Sequence, residues 1–353
     1  MENTLLHLSV AVVVTVLLLL APSGARACTR AVYIGKDGMV ITGRSMDWSE
    51  DIRSNLWVFP RGMARDGAAG PHSVTWTSKY GSIVASGYDV GTADGMNEKG
   101  LAANLLYLAE SDYGTPGAGE TLLNIGAWVQ YALDNFATVA EAVEAFSKES
   151  FVIVAPALPN GRASSLHLSL SDAGGDSAIF EYVAGKLVIH HSRQYQVMTN
   201  SPTFDQQLAL NTYWNTVGGQ AFLPGTVRAA DRFVRASYFL GLLPQTADAR
   251  EALAGIVGVL RSVSVPLGVA APDQPNISPT RWRTFSDQKD LIYFFDSATS
   301  PSLFWVKLAD LDFSQGAPVK KLTLTDGQIY SGNAADKFAP SAPFAVLPYH
   351  PVK

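Results

Sequence analysis

The chain reads as an α+β protein of layered sheets with helices outside them. Three observations predict this. Strand-like and helical segments come in runs (strands, helices, strands, helices, strands), whereas a doubly wound parallel sheet alternates them strictly. No Gly-rich phosphate loop opens any helix. No internal repeat or linker divides the sequence, so residues 28–353 read as one domain behind a leader at 1–27.

The first strands flank Asp37-Gly38: Val32 and Ile34 precede this turn, and Val40 and Thr42 follow it, the pattern of a β-hairpin. Leu56–Phe59, Val74–Thr77, Ser82–Ala85 and Leu101–Leu106 are further strand candidates. Leu122, Ile125, Val129, Leu133 and Phe136 recur at helical spacing. Thr138 with Glu141 forms a capping box that opens a second helix through Phe146. Leu166, Leu168 and Leu170 alternate with His167, Ser169 and Ser171, which predicts a strand with one buried and one polar face. Ala178–Val183, Leu187–His190 and Gln196–Thr199 extend the sheet. Helical patterns cover Ala229–Leu242 and Ala247–Ser262, and Leu291–Phe295 and Leu303–Leu308 close the set.

The leader is apolar from Leu8 to Ala21, then broken by Pro22, Ser23 and Gly24. Ala25 and Ala27 stand where signal peptidase requires small residues, although the first seven residues hold Glu2 and no Lys or Arg. A run of about fourteen residues is short for a membrane helix, which needs about twenty. Removal of residues 1–27 as a signal peptide predicts a periplasmic or secreted protein that starts at Cys28. No stable membrane insertion is expected. A lipid-anchored binding protein held through Cys28 is the alternative, but Ala25 stands where a lipoprotein signal usually has Leu. A net charge of −5 with no basic block disfavours nucleic acid as a partner.

Cys28 is the only cysteine, so no internal disulfide can form, and a free thiol in an exported protein calls for a reason. As residue one it would carry a thiol, with an unperturbed pKa of about 8.5, and an α-amino group, about 7.7–8.0. The amine could then take the thiol proton without a histidine. Arg44 and Asp47 could approach Cys28 if the hairpin folds back; a nearby cation favours thiolate. Spacing alone favours a surface ion pair between them, worth under about 1 kcal/mol. A papain-like Cys–His site is disfavoured because Thr29 to Ile34 alternates like a strand rather than opening a helix. No close His/Cys cluster suits zinc, so no metal or cofactor is expected. His190 and His191 are adjacent on a strand and should face opposite ways. Asn276-Ile-Ser278 matches a glycosylation acceptor. Trp48, Trp57, Phe59, Tyr80, Tyr88 and Tyr107 could line an acyl pocket, with core packing the ordinary alternative.

Cys28-Thr-Arg and Gly43-Arg44-Ser-Met-Asp47-Trp resemble the opening of the choloylglycine hydrolase family, which includes penicillin V acylases and bile salt hydrolases. The resemblance continues through Asp94-Gly-Met-Asn97-Glu-Lys-Gly100-Leu, Leu133-Asp-Asn-Phe-Ala-Thr-Val and Thr199-Asn200-Ser-Pro-Thr-Phe-Asp205. It ends in Asp231-Arg232-Phe and in Thr280-Arg-Trp282, Asp287 and Tyr293-Phe-Phe. It implies a four-layer αββα sandwich of two mainly antiparallel sheets, the N-terminal-nucleophile (Ntn) hydrolase fold, and hydrolysis of a small-molecule acyl amide. It also implies roles: Cys28 as nucleophile, Arg44 and Asp47 assisting it, Asn200 and the Tyr107 N–H as oxyanion donors, and Arg232 completing the charge network. Met46, Trp48 and Tyr107 are the expected substrate contacts.

Tyr107 and the leader resemble the penicillin V acylase side of the family, with acyl-homoserine lactone cleavage a further expectation and bile salt hydrolysis the alternative. The segment between Asn200 and Arg232 is shorter than in the bile salt hydrolases, where it helps form tetramers. The resemblance therefore leaves a homo-oligomer open without implying that tetramer.

Overall fold

The computed structural model describes residues 28–218, 221–269, 278–300 and 302–350. The leader and Asn276 lie outside the described residues, and so do the expectations of cleavage and glycosylation that fall on them.

Two large sheets form the centre. The seven-stranded sheet runs in the order Val197–Thr199, Thr29–Ile34, Val40–Asp47, Thr280–Asp287, Ile292–Ser297, Phe304–Lys307, Gly332–Asn333. Only its last pair is parallel. The nine-stranded sheet is antiparallel throughout and carries Leu166–Ser171, Ala102–Tyr107, Gly91–Asn97 and Ser82–Gly87 at its middle. Helices Ile125–Asn135 and Val139–Phe146 cover this second sheet; Ala229–Leu242 and Ala249–Ser262 cover the first. The architecture is the αββα sandwich.

The hairpin forms as expected, with Asp37 and Gly38 at φ of 51° and 74°. Its second strand lies close beneath the Ala249–Ser262 helix: a Cβ on Gly43 would stand 3.0 Å from Phe285 and 3.1 Å from Leu260. Thr138 accepts from the Glu141 N–H at 3.2 Å, while the Glu141 carboxylate reaches one residue beyond the cap, to the Ala137 N–H at 2.8 Å.

Two expectations change, and one helix was not expected. Leu122–Asn124 is a short strand, and the helix begins only at Ile125, where the Asn124 side chain caps it through the Gly126 N–H. The polar face of Leu166–Ser171 is buried: His167, Ser169 and Ser171 are all 0 % exposed. They point into the space between the sheets, which is sewn by hydrogen bonds; Thr42 meets Ser171 at 2.7 Å, and Arg30 donates to the Leu170 carbonyl at 3.0 Å. The helix Phe204–Val217, with only Phe204 and Gln207 buried, has too little apolar periodicity to be read from sequence.

Candidate active site

Cys28 stands at the head of Thr29–Ile34, and the register Thr29↔Ser45 places it beside Met46. Side chains alternate across a strand, so residues 44 and 47, three apart, project to opposite faces. Arg44 points between the sheets and Asp47 towards the helices. Arg44 reaches Cys28 from the inner face, while the Asp47 carboxylate lies on the other face beside Arg232, which holds the Cys28 carbonyl.

On the inner face, Arg44 Nη2 lies 3.9 Å from Cys28 Sγ and donates to the Leu105 carbonyl at 2.8 Å. Its guanidinium stacks 4.7 Å from the Trp282 ring and sits 3.7 Å from Asp94. Burial raises the Asp94 carboxyl above its ordinary range, although Arg44, Tyr293 and Asn104 all favour the carboxylate. Met46 Sδ, 4.0 Å from the cysteine sulfur, completes this side.

On the helix face, Arg232 Nη1 donates to the Cys28 carbonyl at 2.8 Å and to Thr29 Oγ1, and Nη2 donates to Asn200 Oδ1 at 3.1 Å. The same guanidinium lies 3.6 Å from Asp47. Asp47 Oδ1 accepts from the Thr280 hydroxyl at 2.5 Å; Oδ2 has no hydrogen-bond partner among the described residues. Burial pushes the Asp47 carboxyl up to about 6 against the opposing pull of Arg232 and Thr280. Asn200, just past Val197–Thr199, accepts from the Cys28 nitrogen and donates from Nδ2 to the Tyr107 carbonyl at 2.6 Å.

Arg44 and Asp47 are therefore not a surface ion pair. Both are fully buried, and each has its own partner of opposite charge.

Cys28, Arg44, Met46, Trp48 and Tyr107 also line one concave pocket that opens to solvent. Its walls are mostly apolar; Ile52, Leu105 and Leu166 contribute to them. Trp48 Nε1 donates to the Tyr88 hydroxyl at 2.6 Å, and that hydroxyl donates to Glu50 at 2.6 Å, which fixes both rings at one wall. Of the other aromatics considered, Trp57 and Phe59 belong to the core beneath Ile125–Asn135. His190 and His191 do diverge, His190 towards Glu181 at 3.4 Å and His191 towards Asp176 at 2.7 Å. Among the described residues no three His, Cys, Asp or Glu side chains gather as a metal-ligating group.

Sequence reading did not assign roles to Asp94 and Thr280, the direct partners of Arg44 and Asp47, although both lie in the resembling segments. It also missed Leu347, which lines the cavity from a C-terminal segment held by Leu347 N–H to the Val90 carbonyl (2.9 Å) and by Asn124 Nδ2 to the Leu347 carbonyl (2.8 Å). No periodicity marks that residue.

The sequence profile of the linear amide C–N hydrolases, choloylglycine hydrolase family, matches residues 28–321. The chain belongs to this family. It is 51 % identical to a penicillin V acylase of Pectobacterium atrosepticum, across 93 % of this chain and 94 % of that one. A bile salt hydrolase/transferase of Bifidobacterium longum is 25 % identical, across 81 % and 96 %. The solved penicillin V acylase from Agrobacterium tumefaciens superposes with a TM-score of 0.86 at 57 % identity, covering 91 % of this chain and all of that one. A variant of the conjugated bile acid hydrolase from Clostridium perfringens shares the fold at a TM-score of 0.71 and 23 % identity, covering 84 % of this chain and 97 % of that one. As a choloylglycine hydrolase family member, the protein is an enzyme that hydrolyses linear amide C–N bonds, in place of the binding-protein alternative.

Proposed function

We propose that the protein is an exported penicillin V acylase-like amidase. Its nucleophile is Cys28, made N-terminal by removal of residues 1–27. One observation carries this reading: Cys28 Sγ lines the apolar cavity beside Arg44, while its main chain is held on the other side by Asn200 and Arg232. An acyl group fills the cavity and brings its amide carbonyl to the sulfur. The start of the family match at Cys28 supports the processing step.

The free amine of Cys28 takes the thiol proton, and the thiolate, with Arg44 beside it, attacks the carbonyl carbon. The oxyanion that forms accepts from Asn200 Nδ2, which carries a second N–H besides the one given to Tyr107, and from the Tyr107 N–H. The protonated amine then donates to the departing nitrogen. Water activated by that amine cleaves the thioester. Asp47 balances the ammonium, and Arg232 holds the Cys28 carbonyl so that the amine stays in place.

The higher identity to the two penicillin V acylases, with the aromatic wall of Trp48, Tyr88 and Tyr107, favours a phenoxyacetyl group over a conjugated bile acid. Long-chain acyl-homoserine lactones present a similarly apolar acyl chain and are the proposed physiological substrates. Rates on penicillin V, glycocholate and a long-chain homoserine lactone, measured side by side, test the assignment; glycocholate dominance refutes it. The intact mass of the exported protein tests the processing: a chain beginning at unmodified Cys28 supports it, and a diacylated cysteine ends it.

A further inference from the structure

The helix Phe204–Val217 lies mostly in solvent, and of its two buried side chains one is polar. That residue, Gln207, is 0 % exposed. Its Oε1 accepts from the Thr199 N–H at 3.2 Å and the Thr199 hydroxyl at 3.1 Å. Its Nε2 donates to the Asn200 carbonyl and, at 2.5 Å, to the Pro202 carbonyl. One amide thus grips the turn on both sides of Asn200. Such a buried amide, with donor and acceptor both satisfied, fixes backbone position in a way an apolar residue cannot.

The helix that presents Gln207 is anchored at the same end. Thr203, its N-cap, makes no capping hydrogen bond from its side chain. Glu181, on the neighbouring sheet, supplies one in its place, accepting from the Phe204 N–H at 3.0 and 3.2 Å. Glu181 is 1 % exposed and is held by His167 at 2.9 Å and His190 at 3.4 Å. Burial opposes its charge, yet these histidines and the Phe204 N–H keep its carboxyl down at about 2. A carboxylate at a helix N-terminus is favoured by the exposed N–H groups and the helix dipole.

We propose that Gln207 is a positioning residue: anchored through Phe204 by Glu181, it sets the Asn200 turn so that Asn200 Nδ2 meets the oxyanion. The inference rests on the oxyanion role proposed for Asn200. Gln207 lies outside the cavity and touches no reacting atom; it acts on turnover through Asn200 alone.

The test is a double-mutant cycle on penicillin V hydrolysis with Gln207→Met and Asn200→Ala, joined by the rate at which iodoacetamide alkylates Cys28. Gln207→Met is expected to lower kcat about 10- to 100-fold with KM within about twofold, since small misplacements of catalytic groups carry penalties of that order. Asn200→Ala is expected to lower kcat about 100- to 1000-fold. In the Asn200→Ala background Gln207→Met should change kcat by less than about twofold, with alkylation unchanged throughout. Should Gln207→Met fail to fold, Gln207→Glu keeps the acceptor for Thr199 but offers at most one donor, as a protonated carboxyl, in place of the amide's two, and reads the same split. Full additivity with Asn200→Ala, or a loss that appears in KM or in alkylation, overturns the proposal. An inactive Asn200→Ala beside a silent Gln207→Met sinks this inference alone. A silent Asn200→Ala removes the oxyanion role and the inference with it.

Discussion

Asp47→Asn should leave the enzyme inactive yet reshape how its stability depends on pH. Asp47 is fully buried, and its carboxyl is raised from 3.8 to about 6, chiefly by burial. At 1.36 kcal/mol per pH unit, holding it ionised in the fold costs about 3 kcal/mol. Below the unfolded value the carboxyl is neutral in both states and the penalty vanishes. Between pH about 4 and 6 the unfolded chain releases the proton while the folded chain keeps it, so native stability falls as pH rises. Above about 6 the loss is complete. Asparagine cannot ionise, so the stability gap between variant and wild type should move in the variant's favour by about 2 kcal/mol from pH 4 to pH 7. That change, rather than the absolute gap, is the readout, because Asn also leaves Arg232 without its acidic neighbour. The figure applies when the Cys28 nitrogen is bound in an amide, as in a chain beginning at Ala27. On the proposed pairing, a chain beginning at Cys28 sets an ammonium beside Asp47, which lowers its carboxyl pKa and shrinks the effect. Urea midpoints at the two pH values for both starts, with and without Asp47→Asn, measure it. A gap that does not change with pH refutes the electrostatic account, and equal behaviour of the two starts refutes the pairing of Asp47 with the amine.

Cys28→Ala should keep the native urea midpoint within about 1 kcal/mol, since little volume is lost, while penicillin V turnover falls to background. Arg44→Met should destabilise by about 3 kcal/mol where Asp94 is left charged and uncompensated, and by less as falling pH protonates that raised carboxyl; urea midpoints across a pH series read the trend. Iodoacetamide should also alkylate Cys28 more slowly in that variant, with the adjacent cation gone. Leu347→Ala removes a wall of the cavity, and kcat/KM across a series of acyl chain lengths should shift towards longer chains; an unchanged preference would mean Leu347 does not face the bound acyl group.

The legible parts of the fold are those in which one strand or helix carries its own pattern. The Asp37-Gly38 hairpin, the Thr138 cap and the helix Ala229–Leu242 are set by neighbours a few residues apart, and each forms where its pattern stands. Strands Gly91–Asn97 and Thr280–Asp287 were missed because polar residues interrupt their alternation. Asp94 is buried against Arg44 and Tyr293, and Thr280 against Asp47, so these polar residues are satisfied by partners up to 233 positions away. Hydropathy cannot register such pairing. The site was legible to the same degree: the spacing of Cys28, Arg44 and Asp47 follows from the hairpin, whereas Asn200 and Arg232 rested on resemblance alone.

The hairpin does more than gather charges. Had Arg44 and Asp47 shared a face, their attraction would have neutralised both, and neither would serve the cysteine. Placed three residues apart on one strand, they are separated by the sheet itself. Each is balanced instead by a second buried charge, Asp94 for Arg44 and Arg232 for Asp47, at 3.7 and 3.6 Å. Both separations exceed hydrogen-bonding distance, so neither pair is closed. Asp47 keeps an unpartnered oxygen among the described residues, and Arg44 keeps Nη2 within 3.9 Å of the sulfur. A tighter Arg44–Asp94 pair would make a more stable core and a weaker partner for thiolate. On the mechanism proposed above, the loose pairing leaves Arg44 available to the sulfur, and variants that tighten it should gain stability in urea as they lose penicillin V turnover.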